Sequence, residues 1–360
     1  MLSSEEQMEY PALGSEKRLK ILVLANARYK GGLSGGDAIY ESFISHWNQS
    51  MRVQEMMDIE YKPFFLSYLH RILLACFIAI FEPQRFSMVY SASDFLMDCL
   101  PGFIHKLKGN KWVAGYYLQA FPENKIHWWT QKLARFLINR FADMVIVTNP
   151  TMFNIFPDKK KTWINGGIDL SKCGLTNQER PYDLVFCGRI HKSKGIDELL
   201  AIWKIVKKII ITAKLAVIGD GDLGMGYARS KAVAMKIEGI DFFGYMKEER
   251  FDIYKKSKIV IYPTPHKYDH FSMAPIEAMA CGCPMVCFDL STILKMKDLT
   301  GMRSVLCGHT ERQLAYLVVE LLRGGKWKNL VLGAQEYASQ FDYKKQSQRV
   351  LRNIRKELDI

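Results

Sequence analysis

The sequence predicts an α/β protein of two domains, each a doubly wound parallel sheet covered by helices. Short apolar or β-branched runs alternate with helically periodic segments almost throughout the 360 residues, and strands separated by helices pair in parallel with both faces covered. The length suits two domains, and 49% apolar with 24% charged residues is a globular composition. A glycine pair and a polar, proline-containing stretch, "INGGIDLSKCGLTNQERPYDLVFCGR", interrupt the alternation near the middle, as an interdomain linker would.

The expected strands are residues 19–25, 112–118, 144–148, 162–165, 184–188, 215–218, 241–243, 259–262, 284–288 and 304–307. Helical periodicity falls between them, for example over 126–140, 197–209, 311–322 and 344–358. The break divides the chain into domains at 17–165 and 181–340, joined by a linker at 166–180. Residues 1–16, polar and acidic without the basic and apolar regions of a signal peptide, are expected to be a loose tail. Residues 64–81, "FFLSYLHRILLACFIAIF", are just long enough to span a bilayer. His70 and Arg71 inside that run would be costly in lipid, so a buried helix of the first domain is expected instead.

The eight cysteines form no C-x-x-C pair and mostly sit in apolar runs. Cys281, Cys283 and Cys287 have no histidine at ligand spacing, which suggests reduced core cysteines in a cytoplasmic protein and no metal site. The net charge of +13 attracts anions: nucleic acid, acidic lipid head groups or phosphorylated substrates. No RNP, KH, zinc-finger or helix-turn-helix signature accompanies it, so specific nucleic-acid binding is not expected.

Three loops carry candidate chemistry. "NARYKGGLSGGDAIYESF" lies between a strand and a helix, and its Gly35 and Gly36 would let backbone approach an anion at the helix start. In "DLVFCGRIHKSKGIDELL" a strand ends at Gly188, and Arg189 and Lys194 precede a helix. An arginine fork and a mobile lysine charge beside a helix N-terminus suit a diphosphate. "IVIYPTPHKYDHFSMAPIEAMACGCPMVCFD" predicts a helix over about 273–281, with Ser272 as N-cap and Gly282 at its stop. Glu277 then leans back toward the loop that carries Asp269, and the two carboxylates could hold sugar hydroxyls while free amides meet phosphate.

"VIGDGDLG" matches G-x-G-x-x-G, and Asp241 follows at the spacing of a ribose-binding acid. Asp220 and Asp222, however, would set two negative charges against a pyrophosphate, and the loop comes in mid-domain, which argues against a dehydrogenase.

"GGLSGGD", "NGGIDL", "GRIHKSKG", "VIGDGDLG", "FFGYMKEERFDIYKKSKIVIYPT" and "DHFSMAPIEAMACGCPMV" resemble, in order and spacing, the retaining GT-B glycosyltransferases of family 4, over residues 19 to about 345. That resemblance implies two Rossmann-like domains facing a central cleft, closed by a helix over 341–360 that crosses back to the first domain. It implies a nucleotide-sugar donor, no cofactor and no metal. Arg189 and Lys194 match the pair that stabilises the departing diphosphate, Glu277 the glutamate that bonds the ribose, and Asp269 the first acid of the E-x7-E motif. The amides of Phe271, Ser272 and Met273 would face sugar and phosphates, Gly244 and Tyr245 would line the base, and Gly36, Gly188 and Gly219 would complete the donor site. Asp269 is a methylene shorter than the family's glutamate. The histidine common before "fP" is absent from "WVAGYYLQAFPE", leaving Tyr117 or Gln119 as acceptor-side candidates. A GT-B epimerase, a non-catalytic GT-B protein and a nucleic-acid binder are the competing readings.

"KIHWWTQKLARFLINRF", residues 125–141, places Trp129, Leu133, Phe136 and Leu137 on one helical side and Lys132, Arg135 and Asn139 on another. Such a helix suits an anionic membrane surface and a lipid-linked or saccharide acceptor, although packing on the core sheet would produce a similar pattern.

Overall fold

Twelve strands form two six-stranded sheets among the described residues, and every pairing whose direction is resolved is parallel. The computed structural model describes residues 18–27, 44–47, 49–56, 58–59, 62, 64–117, 125–148, 150–164, 167–176, 179–221, 223–268, 272–294 and 303–360. The tail at 1–16, Gly35, Gly36, Gln119, Asp269 and Phe271 lie outside them. Chain contacts separate two units, residues 1–147, 155–162 and 351–360 in the first, and 148–154 and 163–350 in the second.

The first sheet has the order β2-β1-β3-β4-β5-β6. Its strands are β1 Lys20–Leu24, β2 Ser50–Gln54, β3 Met88–Ser91, β4 Trp112–Tyr116, β5 Met144–Val147 and β6 Lys160–Trp163. Strands β3, β4 and β5 are buried along their whole length, as a sheet covered on both faces requires. Helices α1 Phe64–Phe81, α2 Leu96–Leu107 and α3 Lys125–Phe141 connect β2 to β3, β3 to β4 and β4 to β5. All three crossovers run the same way across the sheet, so right-handed connections put them on one face. There α1 packs on α2 and α2 on α3.

Helix α1 departs from the expectation of a buried helix. Its inner stripe is Ser67, Arg71, Ala75 and Ala79, each at most 2% exposed. The Arg71 guanidinium is satisfied inside the fold, donating from Nε to the Ile59 carbonyl (2.9 Å) and from Nη1 to that of Asn26 (3.3 Å). The large apolar side chains point outward instead: Phe65, Leu69, Leu73, Phe77, Ile80 and Phe81 are all exposed. Small inner residues let the helix sit close to its neighbours, and the price is an apolar outer face. Among the described residues no helix is long and apolar enough to cross a membrane.

The second sheet has the order β12-β11-β10-β7-β8-β9. Its strands are β7 Tyr182–Cys187, β8 Leu215–Ile218, β9 Ile240–Gly244, β10 Ser257–Tyr262, β11 Met285–Phe288 and β12 Val305–Gly308. The chain starts at central β7, builds outward through β8 and β9, then returns to β10 on the other side of β7. This is the doubly wound order, and it puts a topological switch point between β7 and β10.

Helices α4 Ile196–Ile209, α5 Gly224–Ala234, α6 Arg250–Lys255, α7 Met273–Ala280, α8 Glu311–Leu322, α9 Val331–Ser339 and α10 Tyr343–Leu358 complete the described chain. In α4, Ile196, Leu199, Leu200, Trp203 and Val206 form one buried stripe. Its first turn carries Asp197 and Glu198 and its last Lys207 and Lys208, charges that oppose the helix dipole at each end. Helix α8 begins with a capping box between Thr310 and Gln313. Helix α10 contributes residues up to 350 to the second unit and from 351 onward to the first.

Within 166–180, expected as a linker, described residues make backbone and side-chain hydrogen bonds to the rest of the second unit. Ile168 donates to the Phe341 carbonyl (2.9 Å) and accepts from the Tyr343 amide (3.3 Å). Arg180 donates from Nη2 to the Cys281 carbonyl (2.9 Å) and from Nη1 to those of Ser257 (2.7 Å) and Gly282 (3.2 Å). A guanidinium there neutralises the C-terminal carbonyls of α7. The cysteines are free thiols, and Cys281, Cys283 and Cys287 are buried.

Candidate active site

The carboxyl ends of β7, β8 and β9 carry Gly188, Gly219 and Gly244, and their backbones interlock. The Gly188 amide donates to the Ile218 carbonyl (3.1 Å) and the Gly219 amide to the Gly244 carbonyl (2.7 Å). A Cβ on Gly219, whose φ is +133°, would stand 1.9 Å from the Gly188 carbonyl oxygen. The glycine loop after β8 thus brings backbone against backbone. It then zips onto the loop that carries Arg189, the Ile190 amide donating to the Asp220 carbonyl (3.1 Å) and the Leu223 amide to the Ile190 carbonyl (3.2 Å). G-x-G-x-x-G serves here to brace the cationic loop.

Across the switch point the same loop is locked to the end of β10. Gly195, at φ +77°, has room for no Cβ, which would lie 1.9 Å from the Pro263 carbonyl oxygen. Only glycine tolerates both the left-handed backbone and that approach. Between these two braces lie Arg189, exposed, and Lys194, half-buried. Burial, and then the Arg189 guanidinium, push the Lys194 ammonium down to about 8. Two cations held near each other at a switch point, just before the start of α4, form a site that an oligoanion stabilises.

Helix α7 follows β10. Ser272 takes the extended N-cap backbone (φ −126°, ψ 139°), as expected, but its hydroxyl makes no cap bond. Met273 begins the helix and packs against the core. The helix ends where Gly282 turns left-handed at φ +87°.

Glu277, one turn inside α7, is gripped by a residue that sequence reasoning did not single out. Arg250 of α6 donates from Nε to Oε2 (2.8 Å) and from Nη2 to Oε1 (2.7 Å), with the Tyr254 hydroxyl 3.5 Å from Oε2. Burial disfavours the Arg250 charge, yet the Glu277 pair holds it above the usual guanidinium range. Cys187, at the end of β7, neighbours this group, and burial raises its thiol to about 11. The fork fixes the carboxylate rotamer; with the Tyr254 hydroxyl also on Oε2, the second lone pair of Oε1 is left for a hydroxyl donor. Tyr245, next to Gly244, is exposed at the end of β9.

In the first unit Tyr117 is buried and its hydroxyl meets that of Tyr90; burial drives its ionisation far above the usual phenol range. Its side chain belongs to the core of that unit, not to an acceptor surface. Asp94, which follows β3, is the more unusual group. Burial raises its carboxyl to about 6, and Gln131 of α3 donates to it. Its signal in the sequence is an acid just past the apolar run "MVYS".

The family described as "Glycosyl transferases group 1" matches residues 181–324. An uncharacterized glycosyltransferase of Methanocaldococcus jannaschii is 27% identical over 41% of this chain and 40% of its own length. A phosphatidyl-myo-inositol mannosyltransferase of Propionibacterium freudenreichii is 30% identical over 36% of this chain and 30% of its own. The chain thus spans half or less of the length of the curated relatives it matches. A solved structure of Anabaena HepE with UDP-glucose superposes at a TM-score of 0.68 with 16% identity, covering 94% of this chain and 99% of that one. That likeness shows the fold.

Proposed function

We propose that this chain, a GT-B glycosyltransferase with group 1 sequence over residues 181–324, transfers a sugar with retention from a nucleotide diphosphate to a lipid-linked acceptor at a membrane surface. The observation that carries the donor half is the braced Arg189–Lys194 pair at the switch point, with Arg250-bound Glu277 on the helix after β10. In this reading Arg189 and Lys194 hold the diphosphate and Glu277 accepts from a ribose hydroxyl. Asp269 and Phe271 are further donor-binding residues in this reading. The bond from the anomeric carbon to the phosphate oxygen breaks as the acceptor oxygen bonds to the same face. The freed phosphate oxygen takes the acceptor's proton, so no enzymic nucleophile is needed. Positive charge preorganised at the leaving group is the main catalytic contribution.

Thermal-shift titration with a panel of nucleotide-diphosphate sugars tests the donor half. A true donor at 100 times its Kd adds about 2.7 kcal/mol to the stability of the folded state. No shift with any nucleotide sugar would remove the reading.

The membrane half rests on the first unit. On the face that α1, α2 and α3 share, α1 exposes Phe65, Leu69, Leu73 and Phe77, while α3 exposes Trp129, Leu133 and Phe136. Leu137, grouped with these by the sequence pattern, is buried. Each large apolar side chain left in water forgoes about 1.5–3 kcal/mol of burial, which insertion into an acyl boundary would recover. Lys132 lies 3.4 Å from the Trp128 ring centroid and 4.8 Å from that of Trp129, and Arg140 is exposed nearby on α3. Tryptophan and basic side chains beside an apolar stripe suit an anionic head-group layer. The relative named for a phosphatidyl-inositol acceptor supports the same substrate class. The chain is accordingly read as peripheral on the cytoplasmic membrane face. Flotation with anionic liposomes should carry the protein at low salt, and Leu73→Glu with Phe136→Glu should leave it at the bottom of the gradient. Wild-type protein that stays down would refute membrane contact.

A further inference from the structure

The ends of three adjacent strands place His266, Asp289 and His309 around one point, and we propose that this triad binds a divalent transition ion of the zinc class. Asp289 directly follows β11, His309 directly follows β12, and His266 lies just past β10. Their candidate ligand atoms all fall within 4.8 Å of one another. His266 Nε2 is 2.7 Å from Asp289 Oδ1, and His309 Nδ1 is 3.2 Å and 3.3 Å from the two carboxylate oxygens. The two imidazole rings have centroids 4.9 Å apart and are tilted by 51° to each other. Both therefore aim a ring nitrogen at the same carboxylate.

The backbone beneath these side chains is fixed. The Asp289 amide donates to the Gly308 carbonyl (3.1 Å), tying the ends of β11 and β12. The His309 amide donates to Gln313 Oε1 (2.7 Å), the side chain that completes the capping box of α8. His266 rests against the Phe288 ring, with centroids 5.3 Å apart. At zinc–ligand lengths of about 2.0–2.2 Å, tetrahedral donors stand roughly 3.3–3.5 Å apart, so closure on an ion needs side-chain shifts of about an ångström. The side chains are 43%, 33% and 72% exposed for His266, Asp289 and His309, which leaves water access to the remaining positions.

Two imidazoles and one carboxylate select a borderline transition ion over calcium or magnesium, which prefer oxygen ligands throughout. A bound ion would clip the short segment after β10 that carries His266 onto the ends of β11 and β12. The expectation of no metal comes from the cysteines and the family resemblance; His266, Asp289 and His309 lie scattered over residues 266 to 309 without a zinc-binding spacing. The inference does not rest on sugar transfer, and its test reads metal binding directly.

Untagged protein stripped with chelator is titrated with ZnCl2 by calorimetry, and separately with CoCl2 while the absorption spectrum is recorded. One zinc per chain is expected, with binding weakened by at least about tenfold in His309→Ala and in Asp289→Asn. His309 is mostly exposed, so its substitution leaves the fold intact. Cobalt should give visible d–d bands without a near-ultraviolet thiolate band. No zinc binding, zinc affinity unchanged in both variants, or a thiolate–cobalt band showing that cysteines hold the metal would each overturn the proposal.

Discussion

Arg189→Ala is expected to cut turnover by about 10²–10³ while changing stability by no more than about 0.5 kcal/mol, since the side chain is exposed. The large effect follows from the timing of the charge. In the proposed reaction negative charge grows on the diphosphate as the sugar leaves, so a preorganised guanidinium would contribute more to the transition state than to the bound donor. Turnover and kcat/KM for the donor should accordingly fall together. Lys194 adds a pH signature. It is a cation below about 8 and neutral above, so kcat/KM should decline as pH rises through that value, well before an ordinary lysine would titrate. Part of the depression comes from Arg189, and in Arg189→Ala the alkaline limb should move to higher pH. Near-normal turnover in the variant, or a limb that does not move, contradicts the assigned roles.

Arg250→Met should weaken the nucleotide sugar while sparing the chemical step. The substitution removes both bonds that orient Glu277, and that carboxylate is largely buried, with 14% of its side chain exposed. Losing the partner of a fully buried charge costs about 3–5 kcal/mol; partial exposure of both groups brings the expected loss nearer 1–2 kcal/mol. Because a ribose contact is the same in the bound donor and in the transition state, KM for the donor should rise roughly tenfold or more with kcat little changed. Arg250→Lys should not rescue it, since one ammonium cannot reproduce a two-pronged fork. Steady-state kinetics with varied donor decides the matter: a collapse of kcat at constant KM would place Glu277 in the chemistry instead of the grip.

Much of the second unit was legible from residues 181–308 read in order. "LVF", "LAVI", "IVIY" and "MVCF" are buried on both faces, so continuous apolar runs announce them. The first unit was harder. Strand β2, "SMRVQ", is an exposed sheet edge with a polar composition, and β3, "MVYS", is a short run that ends on a polar residue. Neither leaves a periodic signature, and both were missed. Helix α1 is legible at its full length, but its exposed apolar face is not. Hydropathy marks residues 64–81 as apolar without saying which side faces the sheet, and close packing admitted the small residues and Arg71 inside.

The sequence alone determined the alternation of strands and helices, the doubly wound class, the positions of Arg189 and Lys194 between a strand and a helix and of Glu277 one turn inside a helix, and the charge that attracts anions. These properties are local or additive, because periodicity, caps and composition act over a few residues or sum over all of them. Tertiary structure alone decided that Arg250 holds Glu277, that the glycine loop packs against the loop carrying Arg189, that His266, Asp289 and His309 converge, and that α1 wears its apolar side outward. Each depends on which strands become neighbours and how closely backbones approach, and such contacts join residues whose separation along the chain carries no trace of the meeting.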